Sequence, residues 1–161
     1  MICSEPDART VFTDERLGTS RQEVGGALGS GLSARLGWVL RLGTVVLGAS
    51  DVGRAVSFWS NTLGYEPVRF PDADDEFTIL VPPTGDGTRV ALHRSLAAAQ
   101  DRPRVHLDLV VDSHDEQTAE VERLIDLGAC RVAWAYPADP DFVVLADTEG
   151  NRFCVVDAGH G

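Results

Sequence analysis

The chain has 161 residues, 43% of them hydrophobic, which suits one domain with a sizeable core. Its formal net charge of −11 argues against a nucleic-acid binder, which needs a basic surface to meet phosphates, and against anionic membrane surfaces. There is no run of about 18 apolar residues to span a membrane, the acidic start MICSEPDART is unlike a secretory signal, and three cysteines (Cys3, Cys130, Cys154) without paired spacing fit a reducing, cytoplasmic setting.

Residues 1–38 are rich in Gly, Ser, Thr and charge, with GGALGSGLSARLG as the most glycine-dense part. They are expected to form a disordered or loosely attached leader. The domain is expected over residues 39–158. Leu42 to Ala49 reads as a strand, and Ser50 and Asp51 as helix caps. Val52, Ala55, Val56, Trp59 and Leu63 then recur at helical spacing, and Gly64 stops the helix. Phe58 and Trp59 are its large residues, and at that spacing Trp59 is expected in the core.

Strands follow at Tyr65 to Phe70, Glu76 to Val81 and Thr88 to Arg94. They are separated by a turn at Pro71 to Asp75 and another at Thr84-Gly85-Asp86-Gly87. Ser95 to Pro103 is a linker. From Val105 to Asp112 the residues alternate. Val105, Leu107, Leu109 and Val111 form an apolar face, while His106, Asp108, Val110 and Asp112 form the other. An imidazole and a carboxylate side by side on a strand face imply that this face borders water, a ligand or a metal.

A second helix follows, capped by Ser113 or Asp115, with Val121, Leu124 and Ile125 on one stripe and a stop at Gly128. Strands are then expected at Cys130 to Tyr136, Phe142 to Ala146 and Arg152 to Asp157. A turn at Pro137 to Pro140 and a hairpin turn at Asp147 to Asn151, using the tolerance of Gly and Asn for positive φ, separate them. His114 and His160 are expected in solvent. Strand-helix-strand-strand-strand therefore occurs twice, over residues 42–94 and 104–157. This repeat predicts an α+β fold of two tandem βαβββ units.

On the segments SDVGRAVSFWSNTLGYEPV, RVHLDLVV, VERLIDLGACRV and VVLADTEGNRFCVVD, about residues 42 to 158, the chain resembles the vicinal oxygen chelate superfamily. These are the glyoxalase and bleomycin-resistance-like proteins, and the similarity is greatest to their glyoxalase-like branch. The resemblance implies a cupped mixed sheet with a central cavity. It also implies that metal-using members take ligands from the first and last strands of each unit. Carried over position by position, these are Thr44, His106, His93 (with Ala91 as the other register) and Cys154. Only His93 and His106 are good metal ligands. Thr44 is a poor one, and Cys154 stands where a carboxylate is usual.

Two functional readings follow. In the first, Thr44, His93, His106, Asp108 and Cys154 line a site that holds a small organic ligand without chemistry or metal. In the second, the protein is a lyase, isomerase or dioxygenase. It uses His93 and His106 on a divalent ion (Zn, Ni, Fe or Mn), or His106 with Asp108 as a catalytic base pair. The depleted ligand set favours the first. A homodimer is expected on the same resemblance.

Overall fold

A computed structural model describes residues 40–68 and 75–161, and the expected leader, 1–38, lies outside them. All elements fall in the compact unit Arg41–Gly161. The first repeat comprises β1 (Thr44–Ala49), α1 (Val52–Leu63), β2 (Glu66–Val68), β3 (Phe77–Val81) and β4 (Arg89–Arg94). The second comprises β5 (Leu107–Val111), α2 (His114–Asp126), β6 (Cys130–Arg131), β7 (Phe142–Ala146) and β8 (Arg152–Asp157). The α+β architecture of two βαβββ units is thus present. It comprises two four-stranded mixed sheets, ordered β1-β4-β3-β2 and β5-β8-β7-β6. In each, the first strand runs parallel to the last and the other pairings are antiparallel.

The helix boundaries follow from local chemistry. Asp51 caps α1 by accepting from Arg54 N at 2.9 Å, and Gly64 closes it with φ 66°. Of the two candidate caps for α2, Ser113 is the one that acts, with Oγ accepting from Glu116 N. Glu116 reaches back to Asp112 N at 2.9 Å, a capping box displaced by one residue.

The core lies between the helices and one face of each sheet. α1 packs on β3 and β4, and α2 on β5 and β8. Trp59, Phe58 and Phe153 meet edge to face, with the Trp59 and Phe153 centroids 5.3 Å apart, beside buried Leu80, Leu92, Leu124 and Leu145. The alternation along β5 is as read: Leu107, Leu109 and Val111 pack on the core, and Asp108 and Val110 are exposed.

Two strands differ from expectation. The strand expected from Tyr65 covers Glu66–Val68, and residues 69–74, including most of the expected turn, lie outside the described region. The strand expected over Cys130 to Tyr136 ends at Arg131. Beyond it, Tyr136 substitutes a side chain for the missing backbone partner. Its hydroxyl accepts from Val144 N at 3.0 Å, satisfying the outer edge of β7.

The turn Asp147 to Asn151 also does more than reverse the chain. Gly150 takes positive φ (87°), whereas Asn151 does not, so the expectation of a positive-φ Asn is corrected. Asn151 instead donates its amide to Gly48 O and Asp147 Oδ2, both at 3.0 Å. Asp147 Oδ2 also accepts from the buried Trp59 Nε1 at 2.9 Å. Glu149 accepts from Ser50 N, Ser50 Oγ and Asp51 N at 2.8–3.0 Å, and from Arg54 Nε at 2.6 Å. A carboxylate of the second repeat therefore occupies the positive end of the first repeat's helix. At the other end, Arg123 donates to Asn61 O and Thr62 O, both at 3.0 Å, where α1 needs acceptor partners.

The Glu149 side chain is only 1% exposed. Burial pushes its pKa up, but the bonds from Arg54, Asp51 N and Ser50 together outweigh burial and hold it at about 2, against an ordinary 4.5. Because the folded value is the lower one, the ionised group stabilises the fold fully above pH 4.5. The stabilisation is lost as pH falls toward 2. Glu149→Gln should cost about 3 kcal/mol at neutral pH by this linkage, and should remove that part of the acid sensitivity. Urea unfolding of both proteins at pH 7 and pH 3 measures it. Equal stability at both pH values would show the bonds to be worthless.

Candidate functional site

His106 immediately precedes β5 and Asp108 is its second residue, so both project from the face opposite the core. β8 runs parallel beside β5, and its Cys154 is the register partner of Asp108. His106 Nδ1 lies 2.9 Å from Asp108 Oδ1 and 3.8 Å from Cys154 Sγ. With Nδ1–H donating to the carboxylate, the orientation of the imidazole ring is fixed. Asp108 is half exposed and Cys154 is 7% exposed, so the group runs from solvent to the floor of the sheet.

The three side chains open into a hollow of about 340 Å³ whose walls include Trp134, Phe142 and Val156. Trp134 reaches it because the chain leaves the sheet after β6. The same segment, 132–141, is anchored by the Tyr136 hydroxyl and by the Tyr136 ring, 5.5 Å from Phe142. Arg102, from the linker between repeats, lies with its guanidinium 4.8 Å from the Trp134 ring centroid. None of these aromatic and linker contributions was anticipated. Trp134 fell inside an expected strand, and nothing in its spacing distinguished a cavity wall from a core residue.

A second hollow, of about 310 Å³, is lined by residues of both edge strands, among them Val46 and Gly48 of β1 and Leu107 of β5, with Ala97 to Gln100 of the linker. His106 lines this one as well. Gly48 explains how the linker comes so near. A Cβ there would sit 2.9 Å from Ser95 Cβ, closer than side chains tolerate.

The remaining expected site residues lie elsewhere. Thr44 opens β1 opposite Arg89. His93 is paired with Gly48 and Phe77, its ring 5.9 Å from that of Phe77. Among the described residues, the group able to hold a metal ion is His106, Asp108 and Cys154, all within 4.8 Å of one another, and His93 is not part of it. The register explains this. Val46 and Asp108 hold equivalent places before the caps Asp51 and Ser113, and their neighbours are Ala91 and Cys154. Ala91 is thus the counterpart of Cys154, while His93 lies further along the strand. The other two histidines are both exposed, as expected: His114 opens α2, and His160 lies at the surface 3.4 Å from Asp139.

Burial pushes the Cys154 thiol up to about 11, and the charge and hydrogen bonding of Asp108 add to it. At neutral pH the sulfur is a protonated, weak donor and no nucleophile. Iodoacetamide at pH 8 should label Cys154 about a hundredfold more slowly than an ordinary cysteine. Peptide mapping should find label at exposed Cys130 first. Equal labelling of the two would show a thiol far more acidic than this geometry allows.

No helix among the described residues is long and apolar enough to cross a membrane. The family model for the glyoxalase-like domain matches residues 44–156. A search of curated proteins finds no match. Among solved structures, a glyoxalase/bleomycin resistance protein/dioxygenase family enzyme from Burkholderia phytofirmans PsJN is similar at TM-score 0.56 and 17% identity, covering 73% of this chain and 98% of its own. A glyoxalase-related enzyme from Fulvimarina pelagi gives 0.55 and 20%, covering 74% and 88%. The fosfomycin resistance protein FosX from Listeria monocytogenes gives 0.59 and 15%, covering 75% and 93%. At these identities the structural likenesses speak to fold alone, and the family model carries the assignment. Two βαβββ units, the sheet register and a match over most of the chain lead to one conclusion: the chain belongs to the glyoxalase-like domain family.

Proposed function

We propose that the protein binds a small organic molecule on the open face of the second sheet, in the hollow beside His106, Asp108 and Cys154. The observation that carries this reading is the coincidence of polar and aromatic surface. An oriented imidazole–carboxylate pair, 2.9 Å apart, shares one hollow with Trp134 and Phe142. Ligand sites are commonly of this kind, apolar walls with a few convergent polar groups, and about 340 Å³ falls in the range of small-molecule pockets. Thr44 and His93 do not line this hollow and are not part of the proposed site.

A second reading is favoured by one observation, the nitrogen, oxygen and sulfur donors within 4.8 Å. This donor set fits a divalent ion of zinc's preferences in a three-ligand site. His106, Asp108 and Cys154 would hold it, and Cys154 would have to lose its proton on binding. A bound ion of this kind supplies Lewis-acid polarisation of a substrate oxygen or an activated water, the chemistry of a lyase, isomerase or dioxygenase. The chain's own contribution is to bring the His106, Asp108 and Cys154 donors together from the neighbouring strands β5 and β8.

Elemental analysis of the purified protein together with His106→Ala separates the two. In the binding reading the protein carries no stoichiometric transition metal, and the substitution weakens ligand affinity by about tenfold. A stoichiometric metal that disappears in the variant would establish the second reading instead. We also infer a homodimer, because Val46 and Val110, on the two edge strands, are 56% and 63% exposed and offer apolar surface to a second copy. Light scattering that reports only monomer at high concentration would overturn it.

A further inference from the structure

The hollow beside His106 has a definite electrostatic character. Asp108 brings a carboxylate to its mouth, and neither arginine nor lysine is among the residues that line it. Its other titratable liners are His106, Asp141 and Cys154. With two carboxylates, Asp108 and Asp141, among its liners, the hollow opposes a further negative charge and favours a positive one.

The aromatic wall adds an independent observation. Trp134 already holds a cation against its face, the Arg102 guanidinium at 4.8 Å. That contact holds the indole in place, and what Trp134 offers the hollow is apolar aromatic surface. Phe142 lies beside it in the same hollow. A carboxylate and aromatic side chains lining one space form a pattern that suits an ammonium group on an apolar body.

We propose that the ligand is an organic cation: a primary or quaternary amine on an aromatic or branched apolar body, with the ammonium beside Asp108 and the body against Trp134 and Phe142. This rests on the binding reading given above and narrows its chemical class. The pocket selects against carboxylates and phosphonates of the same shape. In this arrangement His106 acts as the support that fixes the Asp108 carboxylate through the 2.9 Å contact.

Calorimetric titration of the full chain with four probes of one shape tests this: 2-phenylethylamine, its trimethylammonium derivative, 2-phenylethanol and 3-phenylpropionate. Both amines should bind saturably, and each at least about tenfold more tightly than the alcohol or the carboxylate. Asp108→Asn should weaken the amines by about tenfold and leave the alcohol unchanged, while Trp134→Leu should weaken both amines. Thermal melting of Asp108→Asn, a nearly isosteric change at a half-exposed side chain, checks that the fold is intact. Binding of the carboxylate as tightly as the amines, or amine binding indifferent to Asp108→Asn, overturns the proposal. Saturable binding of the alcohol alone also overturns it and leaves the small-molecule reading standing. Failure of all four probes at millimolar concentration counts against both.

Discussion

The buried carboxylate of Glu149 joins the two halves of this molecule. Glu149 belongs to a turn of the second repeat, yet its oxygens are spent on the first turn of the first repeat's helix. A helix start has backbone N–H groups without internal partners, and a partner from elsewhere in the chain satisfies them as well as a local one. The neighbouring Asp147 and Asn151 extend the same seam to Trp59 and Gly48, and Arg123 closes it at the opposite end of α1. With both ends of one helix held by the other repeat, the edge strands β1 and β5 are kept beside a common hollow, and His106 is kept at its wall.

The duplication has not preserved the site in both halves. Thr44, Val46 and Ala91 occupy in the first repeat the places that His106, Asp108 and Cys154 occupy in the second. The backbone relations are the same, parallel strands in matching register ahead of a capped helix, but the first set carries one hydroxyl and two apolar groups. The chemistry of the open face is therefore concentrated on one sheet.

Much of this was legible in the residues alone. Alternation in VHLDLVVD assigned the two faces of β5 correctly, because a strand with one buried side has little freedom of register. The spacing of Val52, Ala55, Val56 and Trp59 marked the buried stripe of α1, and all four are buried. The pairing of His106 with Asp108 followed from their separation by two along a strand. Three kinds of information were not accessible. The reach of Glu149 to Ser50 spans almost a hundred positions and leaves no local pattern. The position of His93 depended on which residue of β4 lies beside β1, a matter of one or two places that alternation cannot resolve. The early end of β6 depended on a phenol taking the role of a carbonyl, which no periodicity records.

That phenol has a further significance. Tyr136 bonds Val144 N, and the segment is tied to the sheet again where Asp141 O accepts from Asp157 N at 2.7 Å. Residues 132–135 and 137–140 run between these fixed points as a panel carrying Trp134. Substitution, shortening or lengthening of the panel would alter what the hollow admits while the ladder between β7 and β8 stays whole. The shape of the hollow is in that sense separable from the strand pairing beneath it.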